Sequence, residues 1–332
     1  MDNTLYRNND IKDIITKMSS YLNKTYTKGN FKRDAHPKSI AIVKGLFKIN
    51  SQIPETLKKG IFKNANTYNT IIRFSNASHK IQSDNTKDLR GISIKLLDIP
   101  SEKRYALSTE KNTQDFLLMS HPVMPFGTIK KFRDVIVNTA NSKLHNKILW
   151  ALKNIKLVIE ASKLKKKHED ISSIDFWSST TYSLGESTIV KYKITPKIYL
   201  SKKYKPDTTF NKLKNRLSLE LINNEITFDF CVQLYKNDIE TPLHDMSIEW
   251  LESVSPFIKV ATLTIPKQEL KKHISLNQKI QFSPANSLNA NKPVGEMNEA
   301  RAFIYQQLAQ LRKTKNSLND YYEPTNNDYS NL

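Results

Sequence analysis

Four residues near the C-terminus have types and spacing that could do chemistry. At about 100° per residue, Arg301, Tyr305, Leu308 and Arg312 fall within about 60° of one another on a helix, so they share one face. Two arginines flanking a tyrosine are odd in a core, which rarely buries an unpaired arginine. The face makes sense against something anionic. A free tyrosine ionises only near pH 10, so a phenolate at neutral pH needs positive charge close by. Arg301, one turn before Tyr305, could supply it, and a ferric iron bonded to the oxygen would supply more. Arg312, two turns beyond, could reach a carboxylate. A solvated helix face with an incidental tyrosine accounts for the spacing equally well.

The elements that must position this face can be read from periodicity. The face itself predicts a helix over residues 298–313, with Asn298 as N-cap and Glu299 at the positive end of the dipole. Residues 10–22 carry Ile11, Ile14, Ile15, Met18 and Leu22 at helical period, an N-terminal arm. Strand-like runs follow at 40–49, 68–75, 91–97 and 116–121, then a helical stretch over 132–164. A second strand series is expected at 187–200, 217–221, 225–235 and 256–265. Four strands, a helical insertion and four strands predict an α+β fold on one antiparallel sheet, closed into an eight-stranded barrel that leaves no exposed edge. Residues 1–29 form the arm, 30–313 one domain, and 314–332 a polar tail, disordered or wrapped on the surface.

The bulk numbers describe an ordinary globular chain: 332 residues, 38% hydrophobic and 25% charged. No apolar run reaches the ~18 residues of a membrane span, and the polar first ten residues lack a secretion signal. The single cysteine, Cys231, forbids an internal disulfide and fits a reducing, cytoplasmic compartment. The net charge of +20 could draw nucleic acid, anionic lipid or small anions. A lysine-biased solvated surface accounts for it, and the densest run, Lys163 with Lys165 to Lys167, reads as an exposed helix end. No nucleic-acid motif accompanies it.

Several motifs together carry a resemblance. Arg301-Ala302-Phe303-Ile304-Tyr305, followed by Arg312, resembles the R-x-F-x-Y proximal helix of haem catalases, in which a tyrosine ligates the iron. Phe282-Ser283-Pro284, Lys292-Pro293-Val294-Gly295, Asn298 and Ala300-Arg301 are more specifically similar to the short catalase-related peroxidases, which lack the extra C-terminal domain of large catalases. Upstream, Arg33-Asp34-Ala35-His36-Pro37-Lys38 resembles the segment of the distal histidine, and Arg73-Phe74-Ser75 the R-F-S strand. Asp88 to Lys95, Gln114 to Leu117 with Pro122, Trp177 to Leu184 and Val190-Lys191-Tyr192 continue the similarity. Each motif is weak alone; in this order, over roughly residues 30–313, they are strong.

The resemblance implies haem b with Tyr305 as iron ligand and Arg301 beside it. It implies His36 as the acid–base group over the peroxide, Ser75 orienting its ring, and Arg33, Arg73 and Arg312 neutralising the propionates. Four positions depart from the pattern. The usual distal asparagine aligns with Ser120, or with Met119 after a one-residue shift. Ala77 stands at a valine-like position, Ser39 at a glycine and Ala285 at a tryptophan. His121 could compensate by reaching into the pocket, although neighbouring strand residues point to opposite faces. The remaining histidines, His79, His145, His168, His244 and His273, show no metal-site spacing and are expected at the surface. The implied function is haem-dependent reduction of hydrogen peroxide with a small reductant, in oxidative-stress defence, with weak true catalase turnover. Alternatives are an organic or fatty-acid hydroperoxide enzyme and a non-catalytic haem-binding protein. No nucleic-acid partner or membrane span is expected, and a homo-oligomer is compatible.

Overall fold

A computed structural model describes residues 8–100, 104–198, 207–271, 273–318 and 322–332. The chain opens with α1 (Asn9–Thr25), whose Asn8 side chain accepts from the Asp10 and Ile11 amides as N-cap. Ile11, Ile14, Met18 and Leu22 form its buried stripe. Four strands follow: β1 (Ser39–Ile49), β2 (Thr67–Asn76), β3 (Arg90–Leu96) and β4 (Gln114–Met119). The insertion is three helices, α2 (Ile129–Thr139), α3 (Leu144–Lys153) and α4 (Ile155–Lys163). Then come β5 (Phe176–Trp177), β6 (Thr181–Leu184), β7 (Thr188–Pro196), α5 (Lys212–Asn223), β8 (Ile226–Leu234) and β9 (Phe257–Ile265). The described chain ends with α6 (Ile274–Lys279), β10 (Pro293–Val294), α7 (Glu296–Lys315) and α8 (Asn326–Ser330).

Antiparallel pairing runs β1-β2-β3-β4-β5-β7-β8-β9 and returns from β9 to β1, which closes an eight-stranded barrel. Strands β6 and β10 extend it outside the ring, β6 on β7 and β10 on β6. Alternation sorts the side chains. Phe74, Ile92 and Leu118 align across β2, β3 and β4 and face inward. They meet Phe47, Phe116, Tyr192 and Phe230, whose ring centroids lie 4.9–5.8 Å apart in successive pairs. The intervening residues form two outward rows, Ser75–Gly91–Met119 and Arg73–Ser93–Leu117. These rows are the floor of the functional site.

The structure corrects two expectations. Residues 217–221 are not a strand but the end of α5, where Leu213, Leu217 and Leu221 recur every fourth residue and are buried on the barrel. The eighth barrel strand is instead the two-residue β5, too short to show alternation. Asn298 does not cap the last helix. Gly295 precedes α7 with φ +84°, which glycine adopts readily, while Asn298 is buried inside the helix and donates to the Thr181 carbonyl at 2.6 Å. Within residues 322–332, Tyr322, Tyr329 and buried Leu332 pack beside Ile71, Leu97 and Phe282.

Candidate active site

A cavity of about 260 Å³ lies between the outward rows of β2–β4 and the helices α1, α2 and α7. Met18, Phe132, Phe282, Leu117 and Met119 supply much of its apolar wall. Arg33, His36, Arg73, Arg301, Tyr305 and Arg312 all line it. Residues from the loop before β1, from β2 and from α7, separated by up to 279 positions, therefore meet in one place, because the closed barrel brings its outer rows under the C-terminal helix.

His36 sits in the loop between α1 and β1 with φ +57°, a left-handed conformation that is strained for a side-chain-bearing residue and persists only where its surroundings fix it. Two contacts do so. The His36 carbonyl accepts from Arg73 Nη2 at 2.7 Å, and its Nδ1 lies 2.9 Å from Ser75 Oγ. Gly91 makes room for the ring: a Cβ there would fall 2.6 Å from His36 Cε1 and 2.7 Å from Nδ1. Burial, followed by the charges of Arg73, Arg301, His79 and Arg33, pushes the imidazole pKa down to about 3. His36 is thus a neutral imidazole at physiological pH, with one nitrogen tied to Ser75.

On α7, the Arg301 guanidinium carbon lies 5.7 Å from the Tyr305 ring centroid, and Nη1 donates to Thr180 Oγ1 at 2.7 Å and Asn298 Oδ1 at 3.1 Å. Burial disfavours the Arg301 charge, but the phenols of Tyr305 and Tyr182 outweigh it and raise the pKa above its ordinary value. Arg33, Arg73 and Arg312 form a second cationic group, anchored on α6 and the residue after it. Arg33 donates to the Asn277 and Ile280 carbonyls, Arg73 to Asn277 Oδ1 and Arg312 to the Ile280 carbonyl. No carboxylate forms an ion pair with any of the three among the described residues. The Arg312 Nε is buried without a hydrogen-bond partner. Burial lowers the pKa of Arg73 to about 9 and of Arg312 to about 10, with Arg312 adding to the effect on Arg73. Burial and both neighbours lower that of Arg33. Such a cluster is complementary to carboxylate or phosphate groups.

Three residues weighed for the site are not on the cavity. Ser120 turns its hydroxyl to the Arg90 amide at 2.9 Å, and Met119 occupies the wall beside Gly91. His121 Nδ1 accepts from the Val123 amide at 3.3 Å, away from the cavity. Ser75 reaches the site through His36 and does not itself line it. Of the histidines expected at the surface, His79 is exposed as expected but also borders the cavity, and His168 is partly buried. His79 lines the cavity mouth beside Asp34, its ring 6.5 Å from that of Tyr21, and burial pushes the Asp34 carboxyl up to about 6, with His79 opposing. His168 is half-buried, and burial, followed by Arg90, Lys166 and Lys212, lowers its pKa to about 4. No motif marked His79. Strand alternation from Leu117 did point to Met119 rather than Ser120. Among the described residues no group of three or more His, Cys, Asp or Glu side chains is arranged around a bare metal ion.

No family model and no curated protein matches the chain. Solved structures do. A bacterial catalase superposes with a TM-score of 0.66 at 16% identity, over 95% of this chain and 64% of that one. Catalase A from Saccharomyces cerevisiae gives 0.64 at 15% identity, over 88% and 63%, and a fungal catalase 0.63 at 13% identity, over 88% and 61%. The chain thus spans about three fifths of the catalases it resembles. With its closed antiparallel eight-stranded barrel and surrounding helices, it has the catalase-like fold.

Proposed function

We propose that the chain is a cytoplasmic haem-b peroxidase of the short catalase-related kind, reducing peroxide at the expense of a small reductant in oxidative-stress defence. The observation that carries this reading is one cavity holding a Ser75-tethered neutral His36, Tyr305 beside Arg301, and three guanidinium groups with no carboxylate ion-pair partner among the described residues. That donor set fits a haem: a phenolic oxygen for the iron, and Arg33, Arg73 and Arg312 for two propionates. The bound haem would supply the redox chemistry of its iron.

The protein's part is binding, orientation and proton movement. With haem bound, His36 Nε2, left free by the tie of Nδ1 to Ser75, would accept a proton from one oxygen of a peroxide and return it to the other, so that the group leaving on O–O cleavage is water or an alcohol and the haem would supply the two electrons. Arg301 keeps positive charge beside the Tyr305 oxygen. The position of the usual distal asparagine offers no amide, since Ser120 spends its hydroxyl on the Arg90 backbone and Met119 is a weak acceptor only. Loss of that hydrogen bond favours oxidation of an external donor over dismutation. The apolar wall of Met18, Met119, Phe132 and Phe282 supports a second reading, in which the peroxide is organic. A haem-binding protein without turnover is the third.

An absorption spectrum of the purified protein with haemin, before and after peroxide, tests the reading. The expected result is a high-spin ferric spectrum that Tyr305→Phe abolishes, with phenol oxidation exceeding oxygen evolution. Protein that stays colourless with haemin would refute it. A coloured protein inert to hydrogen and organic peroxides, and indifferent to His36→Ala, would leave only the non-catalytic reading.

A further inference from the structure

The insertion helices α3 and α4 carry an apolar surface that the rest of the chain leaves uncovered. No residue of either helix is buried. Leu144, Ile148, Leu149, Leu152, Ile155 and Ile159 are between 47% and 73% exposed. Single exposed aliphatic residues are ordinary on a protein surface, but six on adjacent turns form a patch. Leu144, Ile148 and Leu152 recur every fourth residue on α3, and Ile155 and Ile159 do so on α4 beyond the non-helical junction at Asn154. The pair is held in this orientation from behind, where Trp150 Nε1 donates to Asp134 Oδ2 on α2 at 2.8 Å.

Charge identifies what could cover the patch. Residues 143–167 contain eight lysines and one carboxylate, Glu160. Lys143, Lys153, Lys156 and Lys163 are exposed around the apolar side chains, and Lys165 to Lys167 continue the run. A second copy meeting this surface symmetrically would set lysine against lysine. A nucleic acid would satisfy the lysines and leave the aliphatic patch in water. An anionic bilayer accommodates both, with the aliphatic groups at the headgroup–acyl boundary and the lysine stems extended so that each ammonium meets a lipid phosphate. At ten and nine residues the helices would lie in the surface plane, and none among the described residues is long and apolar enough to cross a membrane.

We propose that α3 and α4 form a peripheral docking surface for anionic lipid bilayers. The surface stands apart from the haem reading and is testable without haem. Full-length protein is sedimented with phosphatidylcholine vesicles with and without phosphatidylglycerol. Retention is expected with phosphatidylglycerol and to fall at least about tenfold without it. Ile148→Asn/Leu152→Asn and Lys153→Gln/Lys156→Gln should each weaken retention by about tenfold or more, with the melting temperature unchanged because all four side chains lie outside the core. Equal retention of wild type and the apolar double variant would mean charge attraction alone and overturn the proposal. So would a concentration-dependent dimer that the apolar variant abolishes, or tighter binding to duplex DNA than to the vesicles. Amide exchange on the unaltered protein gives an independent reading: residues 144–159 should slow on the anionic vesicles, and no slowing counts against docking.

Discussion

The Nδ1 atom of His36 lies 2.9 Å from Ser75 Oγ, and that hydroxyl is itself 3.5 Å from the Gly91 carbonyl oxygen. Donation by Ser75 to the carbonyl makes the hydroxyl an acceptor toward the ring. The proton then sits on Nδ1, and the lone pair on Nε2. Ser75→Ala removes the tether while leaving the cavity wall intact. It should slow the reaction of the haem-loaded protein with peroxide by about 10–100-fold, the usual cost of losing such an orienting partner. His36→Ala should cost about 10²–10⁴-fold. Stopped-flow traces give both numbers; a Ser75→Ala rate equal to wild type would remove the serine from the mechanism.

Gly91→Ala tests the same ring from its other side. The added methyl would occupy the position 2.6 Å from His36 Cε1, and the imidazole, pinned through its backbone by Arg73, cannot retreat freely. The ring should rotate away from Ser75. The variant should bind haem with wild-type affinity, since no propionate-side arginine is touched, and lose peroxide reactivity to about the same extent as Ser75→Ala. Parallel loss of haem would show that the methyl distorts the barrel floor instead.

His36 also predicts a pH dependence. Its folded pKa of about 3 lies below the ordinary value of 6.5. The unfolded chain therefore binds more protons between these limits, and stability rises with pH across that window. The contribution is complete above about pH 6.5 and is lost as pH falls toward 3. In the haem-free protein, denaturation midpoints should fall on acidification through this range, and His36→Gln should flatten that part of the profile. An unchanged slope in His36→Gln would place the proton uptake elsewhere.

The arginine cluster predicts effects of opposite sign on the empty and loaded protein. Arg312 lowers the pKa of both Arg33 and Arg73, which expresses repulsion between buried like charges. Arg312→Met relieves it, so the haem-free protein should be as stable as wild type or more stable. Haemin affinity should drop by about 10–100-fold, the equivalent of one lost charge-assisted hydrogen bond. Calorimetry and haemin titration on the same preparation separate the two. A variant that loses stability and keeps affinity would contradict the assignment.

The closed eight-stranded antiparallel barrel was legible in the sequence, though not every strand that builds it. Arg33, His36, Arg73, Arg301, Tyr305 and Arg312 could be picked out because fixed short spacings tie each to a motif, and all six line one cavity. The long strands and the last helix were legible because a buried face repeats every second or every third to fourth residue. The strands β5, β6 and β10, at two to four residues, have no period to display. Residues 217–221 misled because five apolar-rich residues fit either element, and only Leu213 upstream reveals the four-residue spacing. Ser120 was misplaced for a different reason. A motif aligned by its proline fixes position along a strand to within one residue, and one residue reverses the face.

A buried ion cluster in the next outward row of the barrel, Ile71–Lys95–Asp115, should prove as necessary to the site as the residues that line it. Lys95 on β3 is fully buried, with Nζ 2.7 Å from Asp115 Oδ1 and bonded to Glu110 Oε2. Both carboxylates also hold the chain that leads into α7: Asp115 Oδ2 accepts from the Ser283 amide at 2.9 Å and Glu110 Oε2 from Asn286 Nδ2 at 3.0 Å. Burial and Glu110 already push the Asp115 carboxyl up to about 7 against the pull of Lys95. Lys95→Met would leave two carboxylates unpaired in the interior, at a cost of about 3–5 kcal/mol. The Asp115 pKa would then rise further above its unfolded value, so the folded variant would bind an extra proton and its deficit would shrink as pH falls. Urea midpoints should show a larger loss at about pH 8 than at about pH 5, and haem binding through Tyr305 should weaken alongside. A deficit under about 1 kcal/mol, equal at both pH values, would mean that the segment before α7 is held by packing and not by this network.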